Sequence, residues 1–144
     1  MLNYLDDEVN QMCNTDYDQP DLYRERVGVA RKAHSCTECG RRIGAGESYR
    51  RVFGVWHGDA YLYKVCQHCN IALIWLLAEC RGFLFHGIQE DILDHAREAP
   101  APQSVALYRI AIGMSRGWRG WRSASFPLPR LPMITARQGA FDYV

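Results

Sequence analysis

The sequence predicts an α+β fold, and three observations carry that prediction. Two Cys-x-x-Cys pairs, Cys36/Cys39 and Cys66/Cys69, stand 26 residues apart. Between them lie two runs rich in β-branched and aromatic residues, "SYRRVFGVW" (48–56) and "AYLYKVC" (60–66), joined by "HGD" (57–59). After the second pair the chain turns apolar on nearly every face, "NIALIWLLAECRG", and reaches Gly82, the signature of a buried helix with a glycine past its C-terminus. A cysteine turn, a hairpin and a helix opening on a second cysteine pair are the parts of a treble-clef zinc finger.

Each element has its own local reason. Residues 1–22 carry turn formers ("NTDYDQPD") and Pro20, so regular structure is disfavoured there. "LYRERVGVARKA" (22–33) fits a strand or a short helix equally. "CTECG" is a knuckle that sets two thiolates on one tight turn, with Gly40 supplying the backbone freedom after the second ligand. "IGAGE" (43–47) is a second turn. Strand propensity and the short "HGD" link make 48–66 a β-hairpin. "IQEDILDHAREA" (88–99) places Ile88, Ile92, Leu93 and Ala96 on one stripe, with acids early, Arg97 late and Pro100 as a stop. "PQSVALYRIAIGMSRGW" (102–118) is a third helix that fades at Gly113 and Gly117, and "FPLPRLP" in the tail is extended or polyproline-like. The expected organisation is an acidic extension (1–23), a zinc-binding domain with its following helix (24–100), and a basic helical and Pro-rich extension packed on it (101–144).

Four thiolates complete a tetrahedral zinc shell at about 2.3 Å per bond. Cys36, Cys39, Cys66 and Cys69 are the expected ligands of one structural zinc ion, the last two helped as thiolates by a helix N-terminus. Two disulfides, or an iron–sulfur centre on the same residues, are the alternatives. The first 21 residues show no basic segment followed by an apolar one, and the most apolar run, "IALIWLLA", is far short of the roughly 20 residues that span a bilayer. A reducing, cytoplasmic setting without membrane contact is therefore expected, and it favours metal over disulfides. His34 and His68 flank the ligands in supporting or solvent-facing roles, Cys80 is a core cysteine, and Cys13 is a free thiol.

The net charge of +1 conceals segregation: −6 over residues 1–23, +5 over 24–51, −3 over 52–100 and +5 over 101–144. Either the acidic segment covers a basic face of the same chain, or the basic blocks meet an anionic partner. Arg26, Arg31, Lys32, Arg41 and Arg42 surround the knuckle, and Arg50 and Arg51 follow on the first hairpin strand. In "SRGWRGWRS", Trp118 and Trp121 alternate with Arg119 and Arg122. Arginine beside an aromatic ring suits phosphate contact and base stacking, and it equally suits a protein interface. Plain packing of the tryptophans onto the domain is the third reading. Pro129-x-x-Pro132 is a polyproline-ligand pattern of low specificity.

The same cysteine-flanked hairpin and helix also admit an enzyme reading. HNH-type nucleases use a related ββα element with a histidine base at the end of the first strand and Asn or His ligands on the helix. His57 at the hairpin tip is the candidate base, with Asn70 and Glu79 on the helix. No small-molecule site is evident.

"ARKAHSCTECGRRIGAGESYRRVFGVWHGDAYLYKVCQHC", followed by "FLFHGIQEDILDH" and "GMSRGWRGWR…PLPRLP", resembles a family of small zinc-binding proteins encoded by bacteriophages and prophages; the likeness covers residues 24–132. It implies a phage accessory protein in the bacterial cytoplasm and no particular activity. More distantly, "CTECGRRIGAGESYRR" is similar to zinc fingers of the poly(ADP-ribose) polymerase type. Those fingers include a histidine ligand where this chain has four cysteines, so their DNA-end binding is not carried over. The leading expectation is a non-catalytic binding protein for nucleic acid or a nucleic-acid-processing host complex. An inhibitor acting by protein–protein contact comes second, and a metal-dependent nuclease third.

Overall fold

The computed structural model describes residues 19–80 and 82–119. The Pro129-x-x-Pro132 pattern, Trp121, Arg122 and Cys13 lie outside the described residues. Five strands precede three helices: β1 (Leu22–Val29), β2 (His34–Ser35), β3 (Arg42–Ile43), β4 (Ser48–Trp56), β5 (Asp59–Cys66), α1 (Gln67–Cys80), α2 (Ile88–Glu98) and α3 (Gln103–Ser115). The architecture is α+β, with antiparallel sheets.

β4 and β5 form the expected hairpin, in which Trp56 pairs with Asp59 and Tyr49 with Cys66. His57 and Gly58 make the two-residue turn with φ of +52° and +84°. Positive φ at both positions is the type I′ geometry that matches strand twist, and glycine adopts it without steric cost. β1 joins the outer edge of β4, giving the order β1-β4-β5, while β2 and β3 form a separate two-stranded ladder. The ambiguous segment 22–33 is thus a strand through Val29.

Side chains alternate across the sheet, so register assigns its two faces. Arg50, Val52 and Val65 point to one face, where Val52 and Val65 are fully buried. The Arg50 Nε–H donates to Asn70 Oδ1 at 2.6 Å, which fixes α1 against this face. Toward the hairpin tip the same face carries Tyr23, Trp56, Tyr61 and Tyr63, and Phe85 stacks on Tyr63 at 4.0 Å. α2 packs on α1 and α3 packs on α2, closing a core of Leu73, Leu76, Ile88, Ile92, Leu107 and Ile110. Among the described residues no helix packs on the other sheet face, which belongs to the site described next.

Candidate metal centre and basic sheet face

The knuckle is built from the backbone outward. Cys36 N–H donates to Arg41 O (2.8 Å), Gly40 N–H donates to Cys36 O (2.9 Å), and Gly40 takes φ +76° to close the turn. Thr37 fastens the turn to β5: its N–H donates to Lys64 O, and its Oγ1 accepts from Lys64 N–H. These bonds place Cys36 and Cys39 beside Cys66, the last residue of β5, and Cys69 in the first turn of α1. The four Sγ atoms lie within 4.8 Å of one another, and Cys39 and Cys66 are 3.9 Å apart.

That spacing fits a tetrahedral ion. Four sulfurs at about 2.3 Å from zinc stand about 3.8 Å from each other. Cys66 N–H donates to Cys36 Sγ (3.3 Å) and Cys69 N–H to Cys66 Sγ (3.4 Å), as backbone amides do toward thiolates. Contacts from Cys36, then Cys39 and Cys69, push the Cys66 thiol far below its ordinary range, while contacts led by Cys36 raise Cys39 and Cys69. Four sulfurs so close together must share protons, and a divalent cation would replace that sharing. No other group of three or more His, Cys, Asp or Glu side chains is gathered this way among the described residues.

Several residues brace the centre that spacing did not reveal. Glu38, inside the knuckle, accepts hydrogen bonds from the backbone N–H of His86 (2.7 Å) and Ile88 (3.3 Å), capping α2 from the metal loop. Glu47 accepts from Arg41 at 2.9 Å and from Gly44 N–H, so it locks the second turn. The sequence signal for both was present only as an acid beside a turn.

The expected binding residues divide into two groups. Arg41 is tied to Glu47 and lies 3.3 Å from His68 Nδ1, with its side chain 9% exposed. Arg50 is 3% exposed and bridges Glu25 (3.1 Å) and Asn70. Trp118 is buried, its ring stacked on His68 at 5.0 Å and its Nε1–H donated to Cys69 Sγ at 3.4 Å. These three hold the fold and do not present themselves to a partner. His68 is likewise buried against the centre, whereas His34 packs on Tyr49, with its Nδ1 3.0 Å from Lys64 Nζ. Cys80 is half-buried and disulfide-bonded, not a plain core cysteine. Arg31, Lys32, Arg42, Arg51 and Arg119 are exposed.

Register sets two cations that sequence reasoning missed, Lys64 and Arg24, beside the expected Arg26 and Arg51. Arg26, Arg51 and Lys64 stand side by side across all three strands on the face opposite α1. Arg24 lies two residues along β1, level with Phe53 and Leu62, both exposed. Every ladder position on that face is apolar, glycine, tyrosine, cysteine or basic; Glu25 and Asp59 point the other way. His57 is at the far end of the hairpin from Cys66, about 23 Å along the strand at 3.3 Å per residue.

Comparison with known proteins gives no match: no family model fits the chain, and no curated protein or solved structure is significantly similar to it.

Proposed function

We propose that this chain is a non-catalytic binding module, held together by a structural zinc ion in a treble-clef arrangement, whose basic sheet face contacts nucleic acid. One observation carries the reading: the Arg26–Arg51–Lys64 row, with Arg24 beside it, on a face with no acid among its described ladder positions. Like charges placed directly opposite one another across strands destabilise a sheet. A fold that keeps three of them in one row is best explained by a polyanion that neutralises them. Exposed Phe53 and Leu62 offer bases an apolar surface between the cations. Cys36, Cys39, Cys66 and Cys69 would hold the zinc. With four protein ligands the ion has no open position, and its chemistry is to supply folding free energy. The phage resemblance puts such a module in a bacterial cytoplasm, alone or within a nucleic-acid-processing complex.

The test is titration of a labelled single strand and a labelled duplex at several salt concentrations. Affinity should fall steeply with salt, and Arg51→Ala and Arg26→Ala should each reduce the slope by about one. Absence of binding at low salt, or a slope that ignores these substitutions, would sink the reading.

A second reading has its own support. Tyr23 and Tyr61 are exposed within the aromatic cluster around Trp56, the composition of a protein-contact anchor. A salt-insensitive complex with a host protein, lost on Tyr61→Ala and retained on Arg51→Ala, would favour it.

A further inference from the structure

The basic face is not flat. Arg26 on β1, Arg51 on β4 and Arg31 just beyond β1 line a pocket of about 370 Å³, floored by Gly28 and Tyr49, which face each other across the ladder. A Cβ built on Gly28 meets nothing within 4 Å, so the absent side chain leaves this space open. Arg31 leaves a fixed piece of backbone. Its neighbour Ala30 is buried, donates its N–H to Glu47 O at 2.8 Å and accepts from Gly46 N–H at 2.8 Å. None of the three guanidinium groups is paired with an acid among the described residues.

We propose that this pocket binds the dianionic phosphate of a nucleotide, a phosphomonoester carried either by a free mononucleotide or by the end of a strand. The inference rests on the nucleic-acid reading of the face, since Arg26 and Arg51 serve both. Size and charge select the ligand. The volume is at the small end of ligand pockets, enough for a phosphate with its sugar. Guanidinium forks match phosphate oxygens in bidentate geometry. A phosphodiester brings one negative charge to three cations, whereas a monoester, with its second pKa near 6, brings close to two at neutral pH.

Gly28 supplies the test. It sits in a strand with ordinary φ, so Gly28→Val suits the backbone, sets a branched side chain into the pocket and removes no positive charge. The measurement is binding of a short single strand with and without a terminal phosphate, with adenosine monophosphate and adenosine as competitors. The terminal phosphate is expected to tighten binding roughly ten- to a hundredfold. Gly28→Val should abolish that gain and leave affinity for the unphosphorylated strand within about twofold. Arg31→Gln should also abolish the gain, with some weakening for either strand because it deletes a cation, and thermal melting of both variants checks that they fold.

Equal affinities with and without the phosphate would overturn the proposal, as would a gain that survives in both variants. Adenosine monophosphate competing as well as the phosphorylated strand, with adenosine inert, would support the pocket and assign it to free nucleotides. If the monophosphate binds while no strand binds at any salt, the pocket stands and the nucleic-acid reading fails.

Discussion

The indole Nε1–H of Trp118 donates to the Sγ of Cys69 over 3.4 Å, joining residues 49 positions apart. It ties the exit of α3 to a candidate metal ligand, where a donor to sulfur steadies the thiolate and orients it. Trp118→Phe keeps an aromatic ring against His68 and deletes the donor. Zinc affinity should fall about ten- to a hundredfold, as for other outer partners of metal ligands, read by competition with a chromophoric chelator. Cys36→Ser goes further and removes a ligand, so it should abolish the cooperative melt that zinc supports. Unchanged zinc affinity in Trp118→Phe would show that the hydrogen bond contributes packing alone.

Gly113 makes that contact possible. A Cβ at Gly113 would sit 2.3 Å from a ring carbon of Trp118, so α3 passes directly beneath the indole. In an open helix, Gly→Ala stabilises by up to about 1 kcal/mol. Here overpacking costs about 1–3 kcal/mol, and the ring has little room to yield between His68 and Cys69. The overpacking term wins. Gly113→Ala should therefore melt several degrees lower than the parent. A variant that melts higher would show that the ring is free to move aside.

The contrast between what spacing revealed and what it hid has a physical basis. The cysteine pairs, the hairpin and the helix after it were legible because local patterns determine them: ligand spacing, strand composition, a two-residue turn with Gly58. β1 was not, because an edge strand with nearly all its side chains exposed has no apolar alternation to betray it. Arg41 and Arg50 read as surface cations in the sequence because their burial depends on Glu47, Glu25 and Asn70, contacts that only the assembled fold provides. The row of Arg26, Arg51 and Lys64 joins three strands and becomes visible only once register is known.

His95 gives the domain an acid-sensitive point. The imidazole is 6% exposed, meets Trp75 edge-on at 5.0 Å, and has its Nε2 3.1 Å from Cys80 Sγ. Burial lowers its pKa, and Glu79 and Asp94 only partly counter this. Above about pH 6.5 both folded and unfolded chains hold a neutral imidazole, and stability is at its full value. Below that the unfolded chain takes up a proton that the folded one refuses, so stability falls as pH falls toward the lower folded pKa. Urea midpoints measured between about pH 7.5 and 5 should decline for the parent and decline less for His95→Gln. Metal binding by the four cysteines would also weaken in acid, so the difference between the two proteins is the quantity that decides. Parallel curves would place the acid sensitivity elsewhere.

Arg50 and Arg51 are consecutive, yet they should respond in opposite ways. Strand alternation turns Arg50 inward, where it bridges Glu25 and Asn70 with 3% of its surface exposed, and turns Arg51 outward between Arg26 and Lys64. Arg50→Ala strands Asn70 and removes Glu25's partner. Because Glu25 remains partly solvated, the cost should be about 2–3 kcal/mol, below that of breaking a fully buried pair. Arg51→Ala deletes a charge that faces two like charges and touches no acid. It should leave stability unchanged or raise it by about 0.5 kcal/mol, while weakening nucleic-acid binding about tenfold. Denaturant melts and oligonucleotide titrations of both variants separate the roles. If Arg51→Ala destabilises as much as Arg50→Ala, the outer row serves the fold, and the basic face loses its claim as a binding surface.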